Sequence, residues 1–146
     1  MSYRFERVKN LKNSKLIYSI NNDRSVRRFS LNKKKFSFEN HTLWIKKILK
    51  NKQEKIYYVK KSNRIIGILR SKKFRKSFYL SWVIRNNYRG KGHGKGMLKE
   101  FIMKNYKLRY LAKINNKNVF SIKVAKYSGL KKLRTLKNIS TFSNYS

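Results

Sequence analysis

Four of the chain's six glycines lie between Gly90 and Gly96, where an apolar segment gives way to a helix-like run. Glycine lets the backbone approach a ligand closely, and a helix start presents unpaired N–H groups and a positive dipole end to an anion. Two lysines add positive charge within the same segment. These features predict a loop that binds a pyrophosphate through its main chain. The candidate binding residues are Arg89, Gly90, Lys91, Gly92, His93, Gly94 and Lys95.

Two common phosphate-binding patterns do not fit this loop. A P-loop that begins at Gly90 requires glycine, lysine and Ser/Thr at positions 95, 96 and 97, but this chain has Lys95, Gly96 and Met97 there. The dinucleotide fingerprint G-x-G-x-x-G would need a glycine at Lys95 or at Met97. The pattern that does fit is R-x-x-G-x-G, which runs from Arg89 to Gly94.

This pattern resembles the acetyl-coenzyme A loop of the GNAT superfamily of N-acetyltransferases. A second segment, from Asn115 to Leu130, is similar to the family's final helix, which begins N-x-x-S-x-(R/K) and ends in G-F. Asn118 would cap this helix, and Gly129 would supply the left-handed residue that ends it. The resemblance covers about residues 3–136 and implies that acetyl-CoA is the co-substrate, with Asn118 and Ser121 contributing to its binding.

The resemblance also implies that an amine attacks the thioester directly, without an acyl-enzyme. The main-chain amides of Val83 and Ile84, where the central strand separates from its neighbour, would hold the pantetheine arm and the developing oxyanion. The predicted central strand, residues 78–85, contains no carboxylate. His41 is therefore the candidate general base, because imidazole titrates near neutral pH. Glu39 is the second candidate, although an acidic residue at a helix start also has a purely structural explanation.

Other side chains in these motifs leave alternatives open. His41 lies at a helix start, where a histidine is often only a surface or capping residue. His93 would either reach a phosphate or pack beside its helix. Relatives with a catalytic tyrosine place it at the position of Ala125, so water or Ser121 would have to assist thiolate release. Tyr127 is expected to face elsewhere on the helix and to pack.

The composition is dominated by a net charge of +35 and a pI near 10.8. Such charge is typical of nucleic-acid binders, but here the cations are spread along the chain rather than collected in one tail or helix. The charge also suits anionic ligands, including the phosphates of coenzyme A. With no cysteine and only two histidines, we expect no disulfide and no metal site.

The apolar stretches are short. The longest, Ile65 to Leu69, cannot cross a bilayer, and Met1 to Asn13 lacks the apolar centre of a signal peptide. We therefore expect a cytoplasmic protein with no membrane partner.

The hydrophobic pattern predicts one α/β domain over residues 1–146. Strands are expected at 3–8, 56–59, 65–69, 78–85, 110–114, 130–136 and 141–145, and helices at 14–21, from 37, at 97–106 and from 118, with a basic connection over 23–35. The resemblance implies the GNAT fold, a curved and mostly antiparallel sheet of six to seven strands, split at its middle and flanked by about four helices.

The sequence is compatible with three functions. The segment from Ser37 to Trp44 and the S-x-K ending of the last motif resemble acetyltransferases of pseudaminic-acid synthesis, which modify a UDP-linked amino sugar. The first hypothesis is thus acetylation of an anionic, nucleotide-linked amine. The alternative is acetylation of a protein amino terminus, as in the ribosomal-protein enzymes. The third is a non-catalytic basic module that binds nucleic acid, which would leave the glycine loop unexplained. The oligomeric state is left open, with a homodimer as one option.

Overall fold

The computed structural model describes residues 2–31 and 35–145, which form seven strands and five α-helices. The sheet has the order β1-β2-β3-β4-β5-β7-β6 and is antiparallel except for the β4–β5 pair. The strands are β1 Arg4–Arg7, β2 Glu54–Lys61, β3 Arg64–Phe74, β4 Ser77–Ile84, β5 Arg109–Asn115, β6 Lys131–Leu136 and β7 Ile139–Ser143. The predicted α/β class and mixed sheet are confirmed.

Three of the five α-helices in the described residues begin at a side chain that accepts a backbone N–H group. The five are α1 Ser14–Asn21, α2 Arg24–Phe29, α3 Phe38–Lys50, α4 His93–Lys104 and α5 Val119–Tyr127. Ser37 accepts from the Asn40 N–H at 3.1 Å, and Asn118 accepts from the Ser121 N–H at 3.1 Å. The predicted cap at Asn118 is therefore confirmed.

Two sequence predictions need correction. The basic connection over 23–35 contains α2, because Asp23 accepts the Ser25 N–H at 2.9 Å and so starts a helix. Residues 32–34 of that connection lie outside the described residues. Helix α4 begins at His93 rather than at Met97, so two of the four clustered glycines belong to the helix and not to the loop.

Helices cover both faces of the sheet. On one face, α4 and α5 enclose a core that includes Leu69, Leu98 and Phe142. On the other face, α1 and α3 pack over a second core that includes Ile17 and Ile45. None of the helices within the described ranges is long and apolar enough to span a bilayer.

The sheet is split at its centre, as predicted. Strands β4 and β5 pair only where Ser77–Tyr79 meets Arg109–Leu111. Beyond Tyr79 the two strands diverge, while β4 stays paired with β3 and β5 stays paired with β7. The backbone groups on the open side of β4 therefore face a gap rather than another strand.

Candidate active site

The loop between β4 and α4 has a backbone that only glycine adopts readily. Gly90 and Gly92 have φ values of +75° and +79°, and Gly92 is the residue immediately before α4. A Cβ added at either position would meet nothing within 4 Å. The left-handed backbone, and not a lack of space, is therefore what requires glycine at these two positions.

The start of α4 presents donors that can bind an anion. Among the described residues, the hydrogen-bond ladder of α4 starts with the Gly96 N–H, which donates to the Gly92 carbonyl at 3.1 Å. The amides before Gly96 precede the ladder, so they and the positive end of the helix dipole remain available to a ligand. Lys91 is exposed beside them. This arrangement fits a diphosphate.

The other two glycines of the cluster serve packing. A Cβ on Gly94 would lie 3.0 Å from Val124 Cγ2, and one on Gly96 would lie 2.9 Å from Tyr3 Oη. Gly94 thus allows α4 to approach α5, and Gly96 allows it to approach the N-terminal segment. The amide of Gly94 still belongs to the first helical turn, where it can contribute to anion binding.

His93 packs beside its helix. Its Nδ1 lies 3.0 Å from Tyr3 Oη, and the two rings meet edge to face at 5.9 Å. Burial lowers the pKa of His93, and the nearby charges of Lys61 and Lys91 lower it further. His93 was expected either to reach a phosphate or to pack beside its helix, and the observed contacts are those of packing.

A cavity of about 480 Å³ fills the split between β4 and β5. The open part of β4 forms one wall, Lys113 and Ile114 of β5 form the opposite wall, and α2 lies over the opening. Asn118 and Ser121, at the start of α5, also line the cavity. The structure therefore brings both predicted α5 residues to the gap in the sheet.

The two predicted main-chain donors of β4 point in opposite directions. The Arg85 N–H donates to the Ile66 carbonyl of β3 at 2.8 Å. Because amides alternate along a strand, the Val83 N–H also faces β3, whereas those of Ile84 and Trp82 face the gap. Val83 lines the cavity, but its amide belongs to the ladder with β3. Trp82, whose N–H also faces the gap, was not among the residues predicted from the sequence.

Arg89 connects the loop to the helix above the cavity. Its Nε donates to the Ile84 carbonyl at 2.8 Å, and one terminal nitrogen donates to Ser25 Oγ at 2.6 Å and lies 3.8 Å from the Asp23 carboxylate. Hydrogen bonds from Ser25 hold the pKa of Asp23 low, and the charge of Arg89 contributes in the same direction. Arg89 therefore fixes α2 to the end of β4 while lining the cavity.

Neither of the two predicted catalytic side chains lines the cavity. His41 is fully buried, and its Nε2 lies 3.0 Å from Nδ2 of Asn21, which does line the cavity. Burial, reinforced by the charge of Arg27, lowers the pKa of His41 to about 4. Glu39 is exposed in the first turn of α3, two residues after the capping Ser37. A neutral, enclosed imidazole and a remote carboxylate have no direct path to a ligand in the gap.

The cavity wall is cationic. Arg70, Arg89 and Lys113 line it, and the chain's five carboxylates are absent from the residues that form it. Burial lowers the pKa of Arg70, whose guanidinium lies over the Trp44 ring at 5.4 Å. In the sequence, Arg70 is marked only by its position directly after the apolar run Ile65 to Leu69.

Helix α5 supplies no tyrosine to the cavity. Ala125 is fully buried, and the ring of Tyr127 is half exposed, with Lys95 Nζ at 5.6 Å and Lys99 Nζ at 5.2 Å from its centroid. Tyr127 does face away from the gap, as predicted, but it contacts lysines at the surface instead of packing in the core. Lys95 thus extends over this ring at the edge of the anion-binding loop. Within the described ranges, no three His, Cys, Asp or Glu side chains are grouped to hold a metal ion.

Solved structures with the same architecture include several N-acetyltransferases. Spermidine N-acetyltransferase from Vibrio cholerae, in complex with CoA and spermine, has a TM-score of 0.83 and 13% identity over 97% of this chain and 92% of that one. PseH from Campylobacter jejuni, in complex with acetyl-CoA, has a TM-score of 0.75 and 17% identity over 97% of both chains. The ribosomal L7/L12 α-N-protein acetyltransferase RimL, in complex with CoA, has a TM-score of 0.77 and 13% identity over 98% of this chain and 93% of that one.

At these identities the structural likeness establishes the fold. No curated protein matches the sequence. The family model for the acetyltransferase (GNAT) domain, however, matches residues 8–131, which is most of the chain. The chain therefore belongs to the GNAT acetyltransferase family, the acetyl-CoA-dependent N-acetyltransferases that its glycine loop and final helix predicted.

Proposed function

We propose that this enzyme acetylates a primary amine carried by an anionic acceptor, and that the acceptor is a nucleotide-linked amino sugar. The observation that carries the proposal is the charge of the cavity. Arg70, Arg89 and Lys113 line it, and the carboxylates of the chain do not. Low-dielectric walls of one sign attract ligands of the opposite sign. A phosphate-bearing amine is favoured by this field, whereas a polyamine is repelled by it.

The acetyl donor supplies a thioester: the neutral amine forms the new C–N bond, the C–S bond breaks, and the proton lost by nitrogen ends on the leaving thiol. We assign the diphosphate to the amides from Gly90 to Gly94, aided by Lys91 and Lys95. Asn118 and Ser121 would contact the pantetheine arm from the wall of the cavity. We place the oxyanion donor at Ile84, whose N–H faces the gap.

We assign the removal of the amine proton to water rather than to a side chain. Neither histidine and none of the five carboxylates lines the cavity, so His41 and Glu39 are not placed as general base. A rate limited by the fraction of neutral amine rises with pH up to the pKa of the acceptor, with no inflection near 6.5 from an enzymatic imidazole.

The proposal is tested by measuring free CoA released with four acceptors at equal concentration. These are a UDP-linked amino sugar, the same amino sugar without its nucleotide, spermidine, and an acidic peptide with a free amino terminus. We expect the nucleotide-linked sugar to give the highest kcat/KM. A preference for the peptide would favour the protein amino-terminal alternative, and a preference for spermidine or for the amino sugar without its nucleotide would overturn the anionic acceptor.

A matched pair of variants connects this preference to the cavity. Lys113→Gln removes a cation from the cavity wall, and Lys47→Gln removes the same charge from an exposed position on α3. We expect the first variant to lose part of the preference for the nucleotide-linked sugar and the second to retain it. Equal losses in both variants would attribute the preference to the overall charge of +35 instead.

A further inference from the structure

We infer that Asn21 binds the acceptor amine through its side-chain oxygen and that His41 is the positioning residue that orients it. The inference rests on the proposed function, because it concerns the acceptor side of the same cavity. It assigns a role to a buried histidine that the proton-transfer scheme leaves unused.

Asn21 lies where an acceptor must arrive. It is the last residue of α1 and lines the main cavity. It also lines an adjoining cavity of about 40 Å³ together with Arg70, Trp82 and Val83. The same short stretch of β4 presents the gap-facing amides to which we assign the thioester. An amide at Asn21 is therefore beside the reacting groups and beside one of the cationic residues of the wall.

The contact with His41 fixes which end of the Asn21 amide faces the cavity. Asn21 Nδ2 lies 3.0 Å from His41 Nε2, and His41 Nδ1 is buried without a hydrogen-bond partner in the described part of the chain. The imidazole centroid is 5.4 Å from the Tyr18 ring and 5.2 Å from the Trp44 ring. Aromatic rings therefore pack against the buried imidazole.

Because the amide nitrogen of Asn21 can only donate, Nε2 is the acceptor in this contact, and the neutral imidazole carries its proton on Nδ1. The Asn21 oxygen then lies at the free end of the amide. None of the hydrogen bonds among the described residues uses this oxygen. It can accept an N–H of the incoming amine, which leaves the nitrogen lone pair to attack the thioester. Full burial keeps the imidazole neutral and in this orientation.

The test uses two substitutions at His41 and one at Asn21. His41→Leu removes the acceptor, His41→Gln retains an oxygen acceptor on a side chain of similar length, and Asn21→Ser removes the amide. With the best amine from the acceptor panel, we expect His41→Leu and Asn21→Ser each to lower kcat/KM for the amine about tenfold. The KM for acetyl-CoA should stay unchanged, and His41→Gln should recover part of the loss.

The double variant distinguishes orientation from a general structural effect. If His41 acts through Asn21, Asn21→Ser costs little more once His41 is Leu. Additive losses, or an equal rise in the KM for acetyl-CoA, would overturn the inference. A second readout needs no activity: nitrogen NMR of the wild-type enzyme should show His41 protonated on Nδ1 at pH 7, and protonation on Nε2 would overturn the inference even if His41→Leu does not fold. Failure of the proposed function would instead appear as a preference for spermidine or for the amino sugar without its nucleotide, with the His41–Asn21 coupling intact.

Discussion

Mild acid should destabilise this protein through one buried histidine. His41 is fully buried, and its pKa falls from the ordinary 6.5 to about 4 because burial and the charge of Arg27 disfavour the imidazolium. In the unfolded chain the same group is protonated below about 6.5. As the pH falls from 6.5 towards 4, the unfolded state gains a proton that the folded state does not bind, so the free energy of unfolding decreases.

The size of this effect follows from the two pKa values. At 1.36 kcal/mol per pKa unit, the fall from 6.5 to about 4 limits the loss to about 3 kcal/mol, of which about 2 kcal/mol is lost by pH 5. Below pH 4 both states are protonated and the loss stops growing. The lowered pKa values of Glu6 and Asp23 also reduce stability in acid, but mainly below pH 5.

The assay is urea denaturation between pH 7.5 and 5 at constant ionic strength, for the wild type and for His41→Gln. Both proteins contain His93, whose lowered pKa acts in the same direction, so the difference between the two curves reports His41 alone. We expect the wild type to lose about 2 kcal/mol more than the variant over this range. If the free energy of unfolding fell equally with pH in both proteins, the neutral, buried state of the His41 imidazole would be refuted.

Three further substitutions test the loop, the sheet and the final helix. Gly92→Ala forces a side chain onto a φ of +79°, which costs about 1 kcal/mol, and should weaken CoA binding in calorimetric titration. Unchanged affinity would show that the left-handed residue does not shape the anion site. Gly67→Ala places a Cβ 2.3 Å from the Val83 carbonyl oxygen and should lower the unfolding free energy by about 1–3 kcal/mol in urea denaturation. An unchanged free energy of unfolding would contradict the close approach of Gly67 to the Val83 carbonyl. Asn118→Ala removes the cap that holds the Ser121 N–H and should cost about 1 kcal/mol while raising the KM for acetyl-CoA. A change in stability alone would assign Asn118 to capping only.

The parts of the site that the sequence predicted are those encoded by short-range backbone chemistry. Gly129 has a φ of +94°, and the Leu130 N–H closes α5 on the Ala125 carbonyl at 3.0 Å, as a glycine after an amphipathic helix predicts. The cap at Asn118 and the left-handed Gly90 and Gly92 follow from similarly local rules. The order of the strands and of every helix except α2 was predicted for the same reason, because hydrophobic periodicity is local.

The parts that were missed depend on contacts between distant segments. Arg89 was expected to serve the loop, but it also bonds to Ser25, which is 64 residues away. His41 has the residue type of a general base, yet only the packing of α1 against α3 shows that it is enclosed and turned towards Asn21. Arg70 appeared as one more cation in a highly basic chain, and its place in the cavity wall comes from the divergence of β4 and β5.

The enzymatic proposal depends on the binding of the co-substrate diphosphate by main-chain donors at the start of α4. Its most direct test is calorimetric titration with CoA and with pantetheine, which shares the thiol arm but carries no phosphate, in the wild type and in a Gly90→Ala/Gly92→Ala variant. We expect the wild type to bind CoA far more tightly than pantetheine, and the variant to lose affinity for CoA while its weak affinity for pantetheine is unchanged. Equal affinities of the wild type for the two ligands, or a variant that binds CoA as tightly as the wild type does, would contradict main-chain binding of the diphosphate.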